Sequence, residues 1–264
     1  MTEISAALVK ELREQTGAGM MDCKRALQET GGDVDAARTL LREKGMAAAG
    51  KRADRATTEG IVLVEENGDT AAIVGVGCET EPVSKNDAFR EFAEKALDRV
   101  SANGSGAGAA EALEAERVEL IAQLGENIVV VGERRLEGGT LGSYVHPPAN
   151  KIGVLLQMRG GSDDLARKVA MHIAALRPNW IGRDDVPEET IAQEREIYAG
   201  SDEVQSKPEQ ARDKIVEGML NKRFFGANVL VDQEWIHDSS KKVGDALGEE
   251  GAEVLEFERF ELSG

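Results

Sequence analysis

The sequence has few of the residues that build covalent or metal frameworks. Its 264 residues include two cysteines, Cys23 and Cys78, and three histidines. Two cysteines lying far apart exclude a disulfide framework and suggest a reducing compartment. Aromatic residues make up only 4% of the chain, although 41% is hydrophobic. The core must therefore consist mainly of Ala, Val, Leu and Ile.

Basic residues are outnumbered by acidic ones, and long apolar runs are also lacking. The net charge is −17, which argues against a nucleic-acid partner because phosphate backbones are bound by clustered Lys and Arg. No apolar run approaches the ~20 residues that span a bilayer. The start, MTEISAALVKELREQTG, has neither a basic segment nor the apolar stretch of a signal peptide. We expect a cytoplasmic protein without a membrane partner.

The first part of the chain differs in charge from the rest. Residues 1–55 contain ten Lys and Arg against nine Asp and Glu. Apolar residues at helical spacing predict three short helices in residues 1–45, with Asp33 as an N-cap and Gly45 closing the third helix. Residues 46–59 are small, polar and slightly basic, which is typical of a linker that can be partly helical.

After Gly60 the pattern changes to one of strands and helices. Residues 60–140 are predicted to form a core N-subdomain. It contains two strands with a turn at Asn67-Gly68, a helix over 87–100, a second helix over 111–124 and a strand over 127–139. Residues 101–109 predict a surface loop. A similar order restarts at Leu141, which indicates an internal duplication and a core C-subdomain at 141–264.

The second half contains an insertion. Residues 187–199 and 207–224 predict a protruding helical hairpin, and a strand is predicted over NVLVDQ (228–233), followed by a short helix and a last strand. The predicted fold class is α+β: an N-terminal three-helix domain and a duplicated α/β core with antiparallel sheets, interrupted by the hairpin.

No motif for bond chemistry stands out. The histidines His146, His172 and His237 have no partners at metal-ligand spacing, and phosphate-binding or nucleophile-elbow glycine motifs are absent from the sequence. No cofactor, metal or enzymatic activity is predicted. One polar loop, CETEPVSKND (78–87), leaves an alternative open: a metal-dependent hydrolase using Cys78, Glu79, Glu81 and Asp87.

Several stretches resemble a known family. LREQTGAGMMDCKRAL (12–27) is similar to the N-terminal signature of bacterial elongation factor Ts. Further stretches resemble landmarks of the family and occur in the family's order: GENIVV (125–130), LGSYVH (141–146), IGVLLQM (152–158), VAMHIAALRP (169–178) and KIVEGML (214–220). The resemblance covers essentially the whole chain. It implies that the three-helix domain is similar to a ubiquitin-associated domain.

The resemblance also implies a function and a partner. Members bind elongation factor Tu, both GDP-bound and nucleotide-free, and promote GDP release by disturbing its Mg²⁺ and phosphate site. By motif match, the N-terminal domain would dock through Leu12, Met20 and Met21, although these methionines could instead belong to the bundle's own core. The resemblance implies further core contacts at Gly125, Glu126, Asn127, Ile128 and His146.

The loop at 80–83 resembles the stretch that acts on the partner's Mg²⁺ site. Many members have Thr-Asp-Phe-Val there, whereas this chain has Thr80, Glu81, Pro82 and Val83. Proline is rigid but offers much less surface than phenylalanine. We therefore expect Pro82 to insert into the partner near its Mg²⁺ site as a smaller and stiffer wedge than phenylalanine. The alternative is an adaptor that binds a translation factor without exchange activity.

Overall fold

The fold is taken from a computed structural model that describes residues 4–103 and 108–262. It is a mixed α+β structure with two antiparallel sheets, as the sequence predicts. Residues 104–107 of the predicted surface loop lie outside the described residues. Among the helices described, none is long and apolar enough to cross a membrane.

The N-terminal part is a bundle of three helices, α1 (Ala6–Thr16), α2 (Met20–Glu29) and α3 (Val34–Arg52). The Asp33 side chain caps α3 by accepting from Ala36 N at 3.0 Å, as predicted. Small and aliphatic side chains fill the space between the helices: Val9, Leu12, Ala18, Cys23, Ala26, Leu27 and Ala37.

The prediction that Gly45 ends the third helix was wrong. α3 continues to Arg52, so helix covers the first half of the predicted linker. A Cβ at Gly45 would lie 3.3 Å from the Cβ of Ala122, which belongs to a later helix. The glycine therefore permits close helix packing here rather than terminating the helix.

The first sheet consists of β1 (Glu59–Asn67), β2 (Thr70–Cys78) and β3 (Ile128–Glu137), in the order β1-β2-β3. The predicted hairpin is present, with Gly68 at φ +62° in its two-residue loop. Between β2 and β3 the chain forms four helices: α4 (Glu81–Ser84), α5 (Asp87–Asn103), α6 (Ala109–Ala112) and α7 (Glu114–Leu124).

The second half repeats this plan. Its sheet contains β4 (Thr140–Val145), β5 (Ile152–Arg159) and β6 (Glu253–Glu261), in the order β4-β5-β6, with α8 (Asp163–Leu176) after the middle strand. The two middle strands even share an irregularity, since the register shifts at Gly75/Val76 in one and at Gln157/Met158 in the other. This agreement supports the predicted duplication.

The two sheets pack against each other, and helices cover their outer faces. Alternate residues of each middle strand point to opposite sides. Ile73 and Leu155 belong to the cluster between the sheets, whereas Val74 packs toward α5 and Leu156 toward α8. The result is four layers, helix–sheet–sheet–helix.

The predicted helical hairpin is present and has its own core. It comprises α9 (Glu188–Gly200), α10 (Asp202–Gln205), α11 (Glu209–Met219), a π-helical turn at Leu220–Phe225 and α12 (Gly226–Asn228). Its apolar side chains form a separate cluster that includes Val204, Val216, Leu220 and Phe224. The chain then returns to the core through α13 (Val243–Glu249) and β6.

The strand predicted at 228–233 was wrong. Leu230–Asp232 form a 3-10 turn, and Val229 makes one isolated bridge to Trp180. Val229 is buried in the hairpin cluster and Leu230 in the α8 cluster. Burial on two opposite sides produces the alternation expected of a strand, although the segment only crosses from one cluster to the other.

Candidate functional site

The loop after β2 is an exposed single turn of helix, α4. Thr80 precedes it in an extended conformation, with φ −131°, and Pro82 lies in its first turn. A proline fits there because the first helical N–H groups have no partner within the helix. Glu81 and Pro82 are exposed, whereas Val83 packs against the core beneath. The proline therefore lies at the outer tip of the loop.

Glu126 fastens this loop to the start of β3. One of its carboxylate oxygens accepts from Glu79 N at 3.1 Å and from Thr80 N at 2.9 Å. The other accepts from the Thr80 hydroxyl at 2.5 Å. In return, the Glu79 carboxylate accepts from Asn127 N at 2.6 Å. The structure thus brings together two predicted stretches, 80–83 and 125–128, that are far apart in sequence.

The residues beside Glu126 support the clamp from below. Gly125 ends α7 with φ +78°, a conformation that glycine adopts readily, and so turns the chain toward Glu126. Asn127 and Ile128 are buried, at 1% and 0% exposure. Asn127 Nδ2 donates to Arg55 O at 2.9 Å. In this conformation Asn127 and Ile128 hold the site in place and offer a partner no side-chain surface.

Lys85 and Arg55 each make an ion pair at the loop. Lys85 donates to Glu81 at 2.6 Å, and this hydrogen bond lowers the pKa of Glu81. Arg55 lies 3.4 Å from Glu79. Burial, assisted by the nearby charge of Glu126, raises the pKa of Cys78 to about 12. The loop therefore presents an apolar tip beside an internally balanced ion pair.

The side chains of the hydrolase alternative do not converge. The buried Cys78 thiol donates to Thr80 O at 3.4 Å, and Glu79 and Glu81 have the partners described above. Across residues 4–103 and 108–262, no three His, Cys, Asp or Glu side chains form a group suited to a metal ion.

His146 is exposed on the loop that follows β4. The Tyr144 hydroxyl lies 2.9 Å from His146 Nδ1, which fixes the ring. The same loop contacts β1, because Val62 N donates to Asn150 O at 2.7 Å and Lys151 pairs with Glu59 at 2.5 Å. Lys151 also helps to lower the pKa of Glu81. Lys151, at the end of the His146 loop, is therefore within electrostatic reach of Glu81.

In the N-terminal bundle the three predicted docking residues have different environments. Met20 and Met21 are 55% and 62% exposed, so they do not belong to the bundle's core. Leu12 is fully buried in that core. A direct contact by Leu12 is therefore incompatible with this conformation, because its side chain is covered on all sides by the bundle.

Sequence reasoning overlooked two residues at the site. The sequence predicts Glu79 only as a metal ligand and Arg55 only as part of a linker, yet both hold the start of the loop. No local signal could have identified them. Their partners lie 24 to 48 positions away along the chain.

The comparison with known proteins gives the family. A family model described as Elongation factor TS matches residues 79–264, beginning within the Pro82 loop. The chain belongs to the elongation factor Ts family. Proteins named elongation factor Ts from Idiomarina loihiensis and Methylococcus capsulatus are 41% and 42% identical to it. The first alignment covers 98% of this chain and 91% of the relative, the second 98% and 92%.

A third elongation factor Ts, from Pasteurella multocida, is 41% identical over 99% of this chain and 93% of its own length. The alignments thus include the N-terminal bundle, which lies outside the family model's match. Membership in the elongation factor Ts family makes the chain a translation elongation factor, active in protein biosynthesis.

Proposed function

We propose that this elongation factor Ts family member is a guanine-nucleotide exchange factor without bond-making chemistry of its own. It binds elongation factor Tu carrying GDP, disturbs the Mg²⁺ and phosphate site, and remains bound to the nucleotide-free partner until GTP enters. It acts in the cytoplasm and contacts neither nucleic acid nor membrane directly.

The observation that carries this proposal is the clamped loop. Pro82 is exposed at its tip, while the Glu126 carboxylate accepts three hydrogen bonds at its base. Hydrogen bonds to a charged acceptor are stronger than those between neutral groups. A loop held in this way keeps its shape when its tip is pressed into another protein, so binding energy can be used to deform the partner.

The chemistry of the tip fits a wedge that acts near a metal site. Pro82 supplies a small rigid apolar surface with fixed φ. The neighbouring Glu81 carries a negative charge that can compete for groups around Mg²⁺, which is the largest local charge in a nucleotide site. Lys85 holds this carboxylate at 2.6 Å, so Glu81 would need to exchange Lys85 for a partner group.

Exchange requires negative coupling between GDP and the factor. The coupling is reciprocal: the factor weakens GDP binding by the same ratio as GDP weakens binding of the factor. A thousand-fold weakening corresponds to roughly 4 kcal/mol. Such coupling needs a factor that binds the GDP-bound state and then favours the nucleotide-free state.

Additional contacts would hold the partner beside the loop. Exposed Met20 and Met21 offer adaptable apolar surface on the bundle, and His146 offers a ring fixed by Tyr144. Glu126 and Gly125 shape the surface between them. Contacts of this kind set the affinity for elongation factor Tu, whereas the Pro82 loop sets the negative coupling between GDP and the factor.

The decisive experiment measures release of a fluorescent GDP analogue from elongation factor Tu with and without this protein. We expect strong acceleration, reduced by Pro82→Ala and retained by Pro82→Phe. Pro208→Ala, which alters another exposed proline next to a helix start, is the matched control. Binding without faster release would support the adaptor alternative and contradict the proposal.

A further inference from the structure

The end of the N-terminal bundle is fastened to the base of the Pro82 loop. After α3 the chain turns, with Arg55 N donating to Arg52 O at 2.9 Å. The buried Asn127 side chain binds this turn, since its Nδ2 donates to Ala53 O at 3.3 Å and to Arg55 O at 2.9 Å. The orientation of the amide follows from these acceptors, because the opposite orientation would place Oδ1 against two carbonyl oxygens. One side chain therefore holds the linker by its backbone.

The same residue is joined to the loop through its main chain. Asn127 N donates to the carboxylate of Glu79 at 2.6 Å, and Glu79 is the first residue after β2. The Arg55 guanidinium lies 3.4 Å from that carboxylate. Glu126 accepts from both Glu79 N and Thr80 N. The linker, the start of β3 and the loop thus meet at one place, through contacts that span 24 to 74 positions of the chain.

A second contact between the bundle and the core leads to the same place. A Cβ at Gly45 would lie only 3.3 Å from the Cβ of Ala122, so α3 and α7 pack closely together. At the end of α7, Gly125 turns the chain directly into Glu126. The bundle is therefore connected to the base of the loop in two ways, through α7 and through Asn127.

These two connections differ in what they fix. Packing between apolar helix surfaces is non-directional, so it sets the distance between α3 and α7 but resists sliding weakly. Hydrogen bonds weaken steeply as their geometry departs from the optimum. Asn127 is only 1% exposed, so water has little access to replace its bonds to the linker. The position of the linker relative to the loop is therefore set mainly by Asn127.

We infer that Asn127 is a positioning residue that couples the N-terminal bundle to the Pro82 loop. The inference rests on the proposed exchange function, in which the exposed Met20 and Met21 dock the bundle on the partner. A bundle held by the partner holds the linker, and the linker holds the base of the loop through Asn127. The tip at Pro82 then cannot retreat when it is pressed against the partner, so the displacement occurs in the partner's Mg²⁺ and phosphate site.

Amide hydrogen exchange of Thr80 in the full chain tests the coupling without a partner, because this amide donates to Glu126. We expect Asn127→Ala to speed this exchange about five-fold, the factor that corresponds to one hydrogen bond of ordinary strength. Leu27→Ala, which loosens the core of the bundle, should also speed it, but should add nothing in an Asn127→Ala background. The matched control is Leu247→Ala, which removes the same atoms from the α8 cluster and should leave Thr80 unaffected.

Two outcomes of this measurement would overturn the inference. The first is a Leu27→Ala effect that persists in full beside Asn127→Ala, which would assign the coupling to the contact between α3 and α7. The second is an unchanged exchange rate of Thr80 in Leu27→Ala. Should Asn127→Ala fail to fold, Asn127→Ser takes its place, because the serine hydroxyl lies closer to its own backbone and cannot reach Arg55 O.

A second experiment separates the inference from the function on which it rests. At saturating protein, Asn127→Ala should lower the maximal rate of GDP release from elongation factor Tu about five-fold, with the half-saturating concentration unchanged. A loss of folded protein would do the opposite, since it raises the concentration required and leaves the maximal rate intact. Met21→Ala should raise the half-saturating concentration, and Asn67→Ala, which alters an exposed asparagine, should change neither quantity.

The two ways of failing are distinguishable. An unchanged maximal rate in a folded Asn127→Ala chain would overturn the role of this residue in exchange. If the wild type itself does not accelerate GDP release, the exchange function is refuted, and the hydrogen exchange of Thr80 still decides whether the bundle and the loop are coupled.

Discussion

Glu126 connects the exposed loop to the buried core through a single carboxylate. Its two oxygens accept from two backbone amides and one hydroxyl of residues 79 and 80. The Cys78 thiol lies directly beneath and donates to Thr80 O. Opening of the loop would therefore expose a thiol that is buried when the clamp is closed, which makes Cys78 a natural reporter.

We predict that Glu126→Gln speeds labelling of Cys78 by a thiol reagent at pH 8 by about ten-fold. The amide offers one acceptor oxygen where the carboxylate has two, so part of the clamp is lost. With the pKa of Cys78 raised to about 12, the folded wild type should label very slowly, because only the thiolate reacts. The measurement uses a Cys23→Ala background, since Cys23 is also a free cysteine.

Two variants separate the loss of the clamp from the loss of charge. Thr80→Val removes the 2.5 Å hydroxyl bond to Glu126 but keeps the carboxylate, and it should also speed labelling. Glu196→Gln, an exposed change on α9, should have no effect. If Thr80→Val labels as slowly as the wild type, the clamp does not control access to Cys78.

A buried histidine joins two elements in the second half of the molecule. His172 on α8 lies 2.9 Å from Gln233 Oε1, and Gln233 Nε2 donates to Leu176 O and Ala227 O. Because Gln233 Oε1 is an acceptor, His172 Nε2 must donate. His172 Nδ1 then accepts from Ile236 N at 3.4 Å. This network accepts only the neutral ring.

We therefore predict that the fold loses stability as the pH falls from about 6.5 toward 4. Burial lowers the pKa of His172 from 6.5 to about 4. The unfolded chain binds the proton more tightly, so the stabilisation is present above pH 6.5 and is lost on acidification. The full contribution of this pKa shift to the free energy of unfolding is about 3 kcal/mol. Urea unfolding at several pH values measures it.

The control for this prediction is His172→Gln, which retains a donor for Gln233 but does not titrate. Carboxylates contribute to the pH dependence of both proteins, so the difference between them isolates the histidine. Parallel stability curves for wild type and His172→Gln would contradict the assignment.

The helices and strands differ in how well the sequence predicts them. Apolar periodicity was sufficient for the three N-terminal helices, both hairpin helices and the repeated sheets, because each buries one regular face. It failed at 228–233, where Val229 and Leu230 enter different clusters. It also failed at Gly45, where packing against Ala122 overrides the helix-breaking tendency of glycine. The Glu126 clamp joins residues 46 and 47 positions apart, beyond any local pattern.

The whole molecule depends on close contact between its two sheets. Glycines permit that contact at the interface. A Cβ at Gly153 would lie 2.3 Å from Val62 Cγ1, and a Cβ at Gly132 would lie 2.4 Å from the Phe260 ring. Each glycine therefore accepts a side chain from the opposite sheet. The Pro82 loop follows the middle strand of one sheet and the His146 loop precedes that of the other, so sheet packing sets their separation.

We predict that Gly153→Ala destabilises the fold by roughly 1–3 kcal/mol, because the added methyl group overlaps Val62 in a closely packed interface. Gly218→Ala makes the same chemical change in α11, where nothing lies within 4 Å of the added carbon. There it should stabilise by roughly 0.5–1 kcal/mol, since alanine favours helix. Urea unfolding measures both.

The comparison also tests whether the sheets control the site. Under the proposed exchange function, Gly153→Ala should slow GDP release from elongation factor Tu even under conditions where the variant is fully folded, because a change in sheet packing would shift the Pro82 and His146 loops relative to each other. Gly218→Ala should leave release unchanged. Normal exchange by a destabilised but folded Gly153→Ala protein would mean that the two loops tolerate displacement, and that contact between the sheets serves stability alone.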